Sequence, residues 1–123
     1  MTHPVVHFEI IGTDPAALRG YYGSLFGWSF DTSGPVAASV SEPGSYGFTP
    51  AGDTIPGGVG GGAGFRPQTV FYVGVPDVEE ALRRAEALGG RRVMGPERPE
   101  GRDLVVAHFT DPEGNLIGLA GPA

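Results

Sequence analysis

Val5-Val6-His7-Phe8-Glu9-Ile10-Ile11-Gly12-Thr13-Asp14-Pro15 is the stretch that decides the fold of this chain. Its first seven residues are rich in β-branched and apolar side chains, which predicts a strand. Asp14 followed by Pro15 is typical of a helix start, with Asp14 as the N-cap and Pro15 as the first helical residue. Apolar residues then recur at helical spacing, and Gly27 ends the helix; they are Leu18, Tyr21, Tyr22, Leu25 and Phe26.

The same order of features returns in the second half of the chain. Gln68 to Val75 reads as a strand, Asp77 as an N-cap with Glu80 at the capping-box position, and Gly89-Gly90 as the end of a helix. A shift of 63 positions places Phe8 on Phe71, Asp14 on Asp77 and Gly27 on Gly90. The sequence therefore predicts an internal repeat.

Further strand-like segments follow each helix. They are Trp28 to Asp31, Ser45 to Pro50 and Ile55 to Gly60 in the first half, and Arg92 to Met94, Leu104 to Thr110 and Leu116 to Ala120 in the second. We therefore predict an α+β fold with two βαβββ modules, about residues 4–62 and 67–121, in one domain over residues 1–123. Ser33 to Gly44 and Gly57 to Gly64 are expected to be mobile rims, since glycine weakens a strand.

Composition narrows the function classes. The 123 residues contain no Cys, which removes thiolate nucleophiles and sulfur-ligated metals, and no Lys, which removes Schiff-base chemistry on a lysine. A net charge of -6 disfavours nucleic acid. No apolar stretch approaches the roughly 18 residues of a membrane span, and residues 1–4 do not resemble a leader peptide. We expect a soluble, cytoplasmic protein that binds neither nucleic acid nor membrane.

The motifs together resemble the vicinal oxygen chelate superfamily of glyoxalases, bleomycin-resistance proteins and extradiol dioxygenases. Its members also include methylmalonyl-CoA epimerase. The resemblance covers nearly the whole chain and is carried by the opening strand with Asp14, the helix end through Gly27-Trp28, Val75-Pro76-Asp77-Val78, and Phe109 to Asn115. It implies two βαβββ modules that curl into an open mixed β-barrel with a central cavity, commonly in a homodimer.

Metal-using members of that superfamily have four ligand positions, and the resemblance implies that this chain fills only one. His7 takes the first-strand position, Val70 takes its partner in the second module, and Gly118 takes the closing-strand position. The fourth position falls in the Gly57 to Gly62 run. A catalytic divalent ion needs about three protein ligands, so no metal or other cofactor is expected.

Strand alternation places His7 and Glu9 on one face of the first strand and Val6, Phe8 and Ile10 on the other. Two ionisable groups on an enclosed face are candidates for acid-base catalysis. The resemblance implies that His108 faces the cavity, so His7, Glu9 and His108 are our candidate catalytic residues. They are expected to act as a proton-transfer set, and a two-histidine, one-carboxylate metal site unlike the usual one is the disfavoured alternative. Packing or a structural hydrogen bond is the alternative role for each of them.

Aromatic side chains are the candidate ligand-binding residues: Trp28, Tyr46, Phe48 and Tyr72. Core packing is the competing interpretation of each. The glycine run is not expected to bind phosphate, because no Lys-Ser or Lys-Thr follows it and Phe65-Arg66-Pro67 cannot open a helix.

Three functions remain open from the sequence. The first is a metal-independent or metal-degenerate lyase or isomerase that acts on a carbonyl-bearing metabolite. The second is a non-catalytic protein that sequesters an antibiotic or metabolite. The third is an orthodox metal-dependent glyoxalase or dioxygenase, which the missing ligands disfavour. The expected partner is a small molecule, with a second copy of the chain in a homodimer.

Overall fold

The computed structural model describes residues 2–50 and 52–123, and within them it has two helices and seven strands. In chain order these are β1 (Val5–Gly12), α1 (Pro15–Phe26), β2 (Gly47–Thr49), β3 (Gly57–Gly61), β4 (Gln68–Gly74), α2 (Val78–Ala87), β5 (Arg91–Glu97), β6 (Leu104–Thr110) and β7 (Leu116–Pro122). The chain divides into two compact units. The first unit is His7–Thr69, and the second comprises the residues up to Val6 with Val70–Ala123.

Both helices begin where the sequence predicts, and α1 also ends there, whereas α2 ends at Ala87 with Leu88 as its C-cap, just before the predicted Gly89-Gly90. The Asp14 carboxylate accepts a hydrogen bond from the Ala17 amide at 3.1 Å, and Pro15 follows as the first helical residue. Gly27 ends α1 with a φ of 72°, a left-handed conformation that favours glycine. The Asp77 carboxylate accepts from the Glu80 amide at 3.0 Å at the start of α2. Side-chain caps therefore fix the position of each helix along the chain.

The sheet of the first unit has the strand order β2-β3-β1. Strand β3 runs parallel to β1, with Glu9 opposite Gly58, and antiparallel to β2, with Phe48 opposite Gly58. All five residues of β3 are buried. The strand predicted at Ile55 to Gly60 is confirmed, with its start shifted to Gly57. The expectation that the Gly57 to Gly64 run is a mobile rim is wrong for its first five residues, which are buried and paired on both sides.

The sheet of the second unit has the strand order β4-β7-β6-β5. Strands β4 and β7 are parallel, whereas β6 is antiparallel to both of its neighbours. Helix α2 packs its apolar face on this sheet. The core that results consists of Val75, Val78, Leu82, Ala107 and Leu119.

The fold class is confirmed as α+β with two helix-on-sheet modules, and the second module has the full βαβββ order. In the first module, the predicted strand from Trp28 to Asp31 is reduced to an isolated bridge between Asp31 and Phe48. Of the strand predicted at Ser45 to Pro50, the structure has Gly47–Thr49, which is β2. The segment from Ser33 to Gly44 has no strand or helix, yet Ala37, Val40 and Ser41 within it are buried.

Neither helix in the described part of the chain has the length and apolar character that a membrane crossing requires.

Candidate functional site

Three polar side chains of the first unit form a chain of hydrogen bonds. The Tyr46 hydroxyl donates to Oε1 of Glu9 at 3.0 Å, and Nε2 of His7 lies 2.8 Å from the same hydroxyl oxygen. Glu9 and Tyr46 are each only 2% exposed, whereas His7 is half-buried. The predicted placement of His7 and Glu9 on one face of β1 is confirmed, because both reach one phenol. The chain of bonds leads from a half-buried imidazole to a buried carboxyl group.

The position of Tyr46 depends on Gly58, a residue of β3 that has no side chain. Glu9 and Phe48 flank Gly58 in the strand register. Residues in register point to the same side of a sheet, so a side chain at position 58 would occupy the space between them. A Cβ on Gly58 would lie 2.0 Å from Cε1 of Tyr46. The Tyr46 ring therefore fills that space and brings its hydroxyl to Glu9.

The phenol of Tyr46 has only one hydroxyl hydrogen, and this decides which atoms of the cluster carry the other protons. When the Tyr46 hydroxyl donates to Glu9, the bond to His7 requires a proton on Nε2 of the imidazole. In neutral His7, Nδ1 then carries the lone pair that can accept a proton. A proton gained at Nδ1 can be balanced by transfer of the Nε2 proton to Tyr46 and of the Tyr46 proton to Glu9.

Aromatic rings surround this cluster. The Tyr46 and Phe48 ring centroids are 4.8 Å apart, and the His7 and Phe48 centroids are 6.3 Å apart. Such separations are typical of favourable ring pairs. Phe48 therefore lies with the polar cluster, and its role in ligand binding stays a prediction.

Trp28 packs with a different set of rings. Its centroid lies 5.3 Å from that of Phe8, 5.8 Å from that of Tyr22 and 5.1 Å from that of Phe26. These contacts join the end of α1 to β1, on the strand face that carries Phe8. They agree with the packing role that the sequence analysis kept as the alternative for Trp28.

In the second unit, Tyr72 and His108 form a buried pair. The Tyr72 hydroxyl lies 2.7 Å from Nε2 of His108, and the two side chains are 2% and 4% exposed. Burial lowers the pKa of His108 from its ordinary value of 6.5, while the Glu97 carboxylate opposes this shift. The balance favours neutral His108 at neutral pH.

The four positions of the superfamily's metal site do not offer a matching set of ligands. Val70 is apolar and 1% exposed. Gly118 has no side chain, and a Cβ there would lie 2.4 Å from Cδ2 of Tyr72. In the described part of the chain, no group of three or more His, Cys, Asp or Glu side chains could hold a metal ion. The donor set therefore does not fit a resident divalent ion at these positions.

Two open grooves flank the helices, and neither contains the polar clusters. One groove runs beside α1 and the other beside α2; their lining includes Tyr21, Tyr22 and Gln68 in the first unit, and Arg84, Leu88 and Phe109 in the second. Because neither groove is lined by a residue of the hydrogen-bonded clusters, they are poor candidates for the site of proton transfer.

Sequence reasoning missed three features of the site. It assigned Tyr46 to the ligand-binding side chains and did not predict that the Tyr46 hydroxyl joins His7 to Glu9 by hydrogen bonds. It did not include Glu97, and it gave no role to the glycines beneath the tyrosine rings. A tyrosine near a glycine-rich strand in the sequence is the pattern that would have suggested packing of the tyrosine ring on a glycine.

Comparison with known proteins agrees with the fold. A family model described as a glyoxalase-like domain matches residues 7–120. CFP32 of Mycobacterium bovis and Mycobacterium tuberculosis, whose name proposes glyoxylase activity, is 30% identical over 108 residues. The match covers 87% of this chain and 41% of CFP32, so the chain spans about two fifths of the length of that relative.

Solved structures show the same architecture. Methylmalonyl-CoA epimerase from Mycobacterium tuberculosis superposes with a TM-score of 0.69 at 16% identity, over 97% of this chain and 87% of the epimerase. A glyoxalase/bleomycin resistance protein/dioxygenase superfamily member from Vibrio splendidus gives 0.59 at 17% identity, over 98% and 99% of the two chains. With the family model matching residues 7–120, the chain belongs to the glyoxalase-like domain family of the vicinal oxygen chelate superfamily.

Proposed function

We propose that this protein moves a proton on a small carbonyl-bearing molecule without a resident metal ion, as a lyase or isomerase does, and that His7 is the residue that contacts the substrate. The observation that carries this proposal is the continuous hydrogen-bonded chain from His7 through Tyr46 to Glu9. His7 is the acid-base group of this chain, and buried Glu9 is the acceptor of the proton that Tyr46 passes on.

The chemistry of the chain suits proton abstraction next to a carbonyl. Nδ1 of His7 takes the substrate proton, and the Nε2 proton moves to Tyr46 as the Tyr46 proton moves to Glu9. The cluster as a whole gains one proton, but the positive charge does not stay on the imidazole. A positioned acid-base group of this kind typically accelerates a reaction about 10²- to 10⁴-fold. Reversal of the same steps returns the proton to the face of the carbanion or enolate that His7 contacts.

The comparisons support a carbonyl-bearing substrate. One structural neighbour is a methylmalonyl-CoA epimerase, whose substrate is a thioester, and the relative CFP32 is named as a glyoxylase. Both names refer to carbonyl compounds. At the superfamily's metal positions, Val70 and Gly118 carry no donor atom, which supports a mechanism in which protein side chains alone move the proton.

Deuterium incorporation tests the proposal. The protein is incubated in D₂O with methylmalonyl-CoA, propionyl-CoA, pyruvate and hydroxyacetone, and proton NMR follows loss of each signal next to the carbonyl. We expect exchange of at least one compound above the buffer rate. Glu9→Gln keeps the shape but removes the proton acceptor, so it should slow exchange about 10²-fold or more and alter its pH profile. Glu100→Gln, at an exposed position, is the matched control. Lack of exchange by the wild type with all four compounds would contradict the proposal.

A non-catalytic binding function is the second candidate, and the rings of His7, Tyr46 and Phe48 favour it. A planar ligand could stack on the half-buried rings of His7 and Phe48, which the buried Tyr46 ring contacts, without chemistry. Phe48→Ala should then weaken ligand affinity, while Glu9→Gln, which leaves the rings in place, should not. Isothermal calorimetry with each of the four compounds of the exchange screen separates the two functions, because a non-catalytic protein binds a compound without exchanging its proton.

We also propose that the protein works as a cytoplasmic homodimer. Two exposed apolar residues of α1 support association: Leu25 and Phe26, each at 56% exposure. Sedimentation equilibrium should give twice the mass of the chain, and Leu25→Glu should reduce it. A monomeric wild type would contradict the proposed dimer.

A further inference from the structure

Ser41 is a buried polar side chain that the proposed proton transfer does not use. It is 0% exposed, and its Oγ accepts a hydrogen bond from the Gly61 amide at 2.9 Å. The single proton of the hydroxyl has two carbonyl oxygens within reach, that of Glu42 at 3.0 Å and that of Gly61 at 3.2 Å. Ser41 therefore joins the segment from Ser33 to Gly44 to the last residue of β3.

Backbone hydrogen bonds extend this junction to Tyr46. The Glu42 amide donates to the Gly61 carbonyl at 2.9 Å, and the Ser45 amide donates to the Glu42 carbonyl at 3.1 Å. Tyr46 follows Ser45 directly in the chain. The junction with β3 therefore fixes the backbone from which the Tyr46 side chain extends.

Ser41 and Tyr46 also lie over the same glycine. A Cβ on Gly60 would come within 2.6 Å of Cδ2 of Tyr46 and 2.9 Å of Oγ of Ser41. Gly58 and Gly60 alternate along β3 and share one face, and the Tyr46 ring covers both of them. The Ser41 hydroxyl thus borders the space that the ring fills.

We propose that Ser41 is a positioning residue for the Tyr46 hydroxyl, and through it for the hydrogen-bonded chain from His7 to Glu9. The Tyr46 oxygen has to keep two bonds at once, at 2.8 Å to His7 and 3.0 Å to Glu9. Proton transfer needs heavy-atom distances of about 2.6–3.2 Å, so a small shift of the ring interrupts it. Ser41 acts on the reaction only through Tyr46, and this effect rests on the proposed function.

Proton NMR of the Tyr46 hydroxyl tests the positioning without any substrate. A buried hydroxyl that donates to a carboxyl group gives a downfield signal protected from exchange with water, and Tyr46→Phe assigns it by removing it. Ser41→Ala deletes only the oxygen that holds Gly61, so the signal should broaden or disappear while the protein stays folded. If Ser41→Ala does not fold, Ser41→Cys, which keeps a side chain of similar size with a weaker hydrogen-bonding group, takes its place.

Two control variants separate positioning from a general loss of stability. Ser33→Ala removes a serine hydroxyl of the same segment, but one whose bond to Oδ1 of Asp31 at 2.6 Å is exposed. Asp77→Ala destabilises the protein through the N-cap of α2 in the other unit. Both controls should keep the Tyr46 signal of the wild type.

Deuterium incorporation gives the kinetic readout. With the compound that the wild type exchanges fastest, Ser41→Ala should lower kcat about 10-fold or more and leave KM nearly unchanged, because a misplaced acid-base group slows the chemical step and not the binding. If the wild type exchanges none of the four compounds, the proposed function fails, and the NMR comparison still decides the role of Ser41.

The positioning role is overturned if folded Ser41→Ala keeps the Tyr46 hydroxyl signal and its protection from exchange. A loss of the signal that is equally large in Ser33→Ala or Asp77→Ala would overturn it too. The same holds for a wild type without any hydroxyl signal that Tyr46→Phe removes, because the hydroxyl would then not be held in place.

Discussion

The ring of Tyr46 lies directly on Gly58, where a Cβ would come within 2.0 Å of the ring carbon Cε1. This contact connects the glycine-rich strand to the candidate site. Gly58 leaves the room that the ring needs, and the ring places the hydroxyl between His7 and Glu9. The geometry of the hydrogen-bonded chain is therefore encoded partly in a residue without a side chain.

Gly58→Ala should both destabilise the protein and disturb the site. The added methyl group cannot fit beneath Tyr46, and overpacking of this kind costs about 1–3 kcal/mol. Urea unfolding measures the loss of stability. The matched control is Gly20→Ala in α1, where a Cβ would meet nothing within 4 Å and should stabilise the helix by about 0.5–1 kcal/mol. Equal stability of the two variants would show that Tyr46 does not require a glycine beneath it.

Stability should fall as the solution becomes acidic, because His108 is buried in its neutral form. Burial holds the pKa of His108 below 6.5, so the unfolded chain binds this proton more readily than the folded chain. The stabilisation is complete above pH 6.5 and is lost as the pH falls from there through the lowered pKa. One proton changes the free energy of unfolding by at most about 1.4 kcal/mol per pH unit.

Urea unfolding at several pH values between about 7.5 and 5 measures this slope. His108→Gln lacks the titrating group and should show a shallower decline than the wild type. An identical decline in both proteins would assign the acid sensitivity to other groups.

Asp77→Ala should remove the N-cap of α2. The Asp77 carboxylate satisfies the Glu80 amide at 3.0 Å, and loss of such a cap typically costs about 1 kcal/mol. Thermal unfolding followed by circular dichroism measures the change. Glu100→Ala, which removes an exposed carboxylate outside both helices, is the control and should leave the melting temperature nearly unchanged.

Local features of the fold could be predicted from the sequence because they depend on neighbouring residues. The caps at Asp14 and Asp77 and the left-handed Gly27 are such features, and all three were located correctly. Strand β6 was predicted with its observed bounds, Leu104–Thr110, because its apolar run ends at a turn. The face shared by His7 and Glu9 follows from strand alternation alone.

Features that depend on strand pairing could not be predicted in this way. A strand was predicted at Ile55 to Gly60, but its burial was not: the composition is that of a flexible segment, whereas pairing on both sides and the rings of Phe8 and Tyr46 on its two faces bury it. The role of Tyr46 depends on the register that sets Gly58 opposite Glu9. Likewise, Glu97 acts on His108 only because β5 lies beside β6.

The most direct test of the proposed function compares deuterium incorporation by the wild type, Tyr46→Phe and Tyr21→Phe. Tyr46→Phe keeps the ring on Gly58 but removes the one oxygen atom that joins His7 to Glu9. If these residues act as a proton relay, exchange by Tyr46→Phe should be about 10²-fold slower or more, while Tyr21→Phe should exchange at the wild-type rate. Exchange at an undiminished rate by folded Tyr46→Phe would show that no proton passes through this hydroxyl.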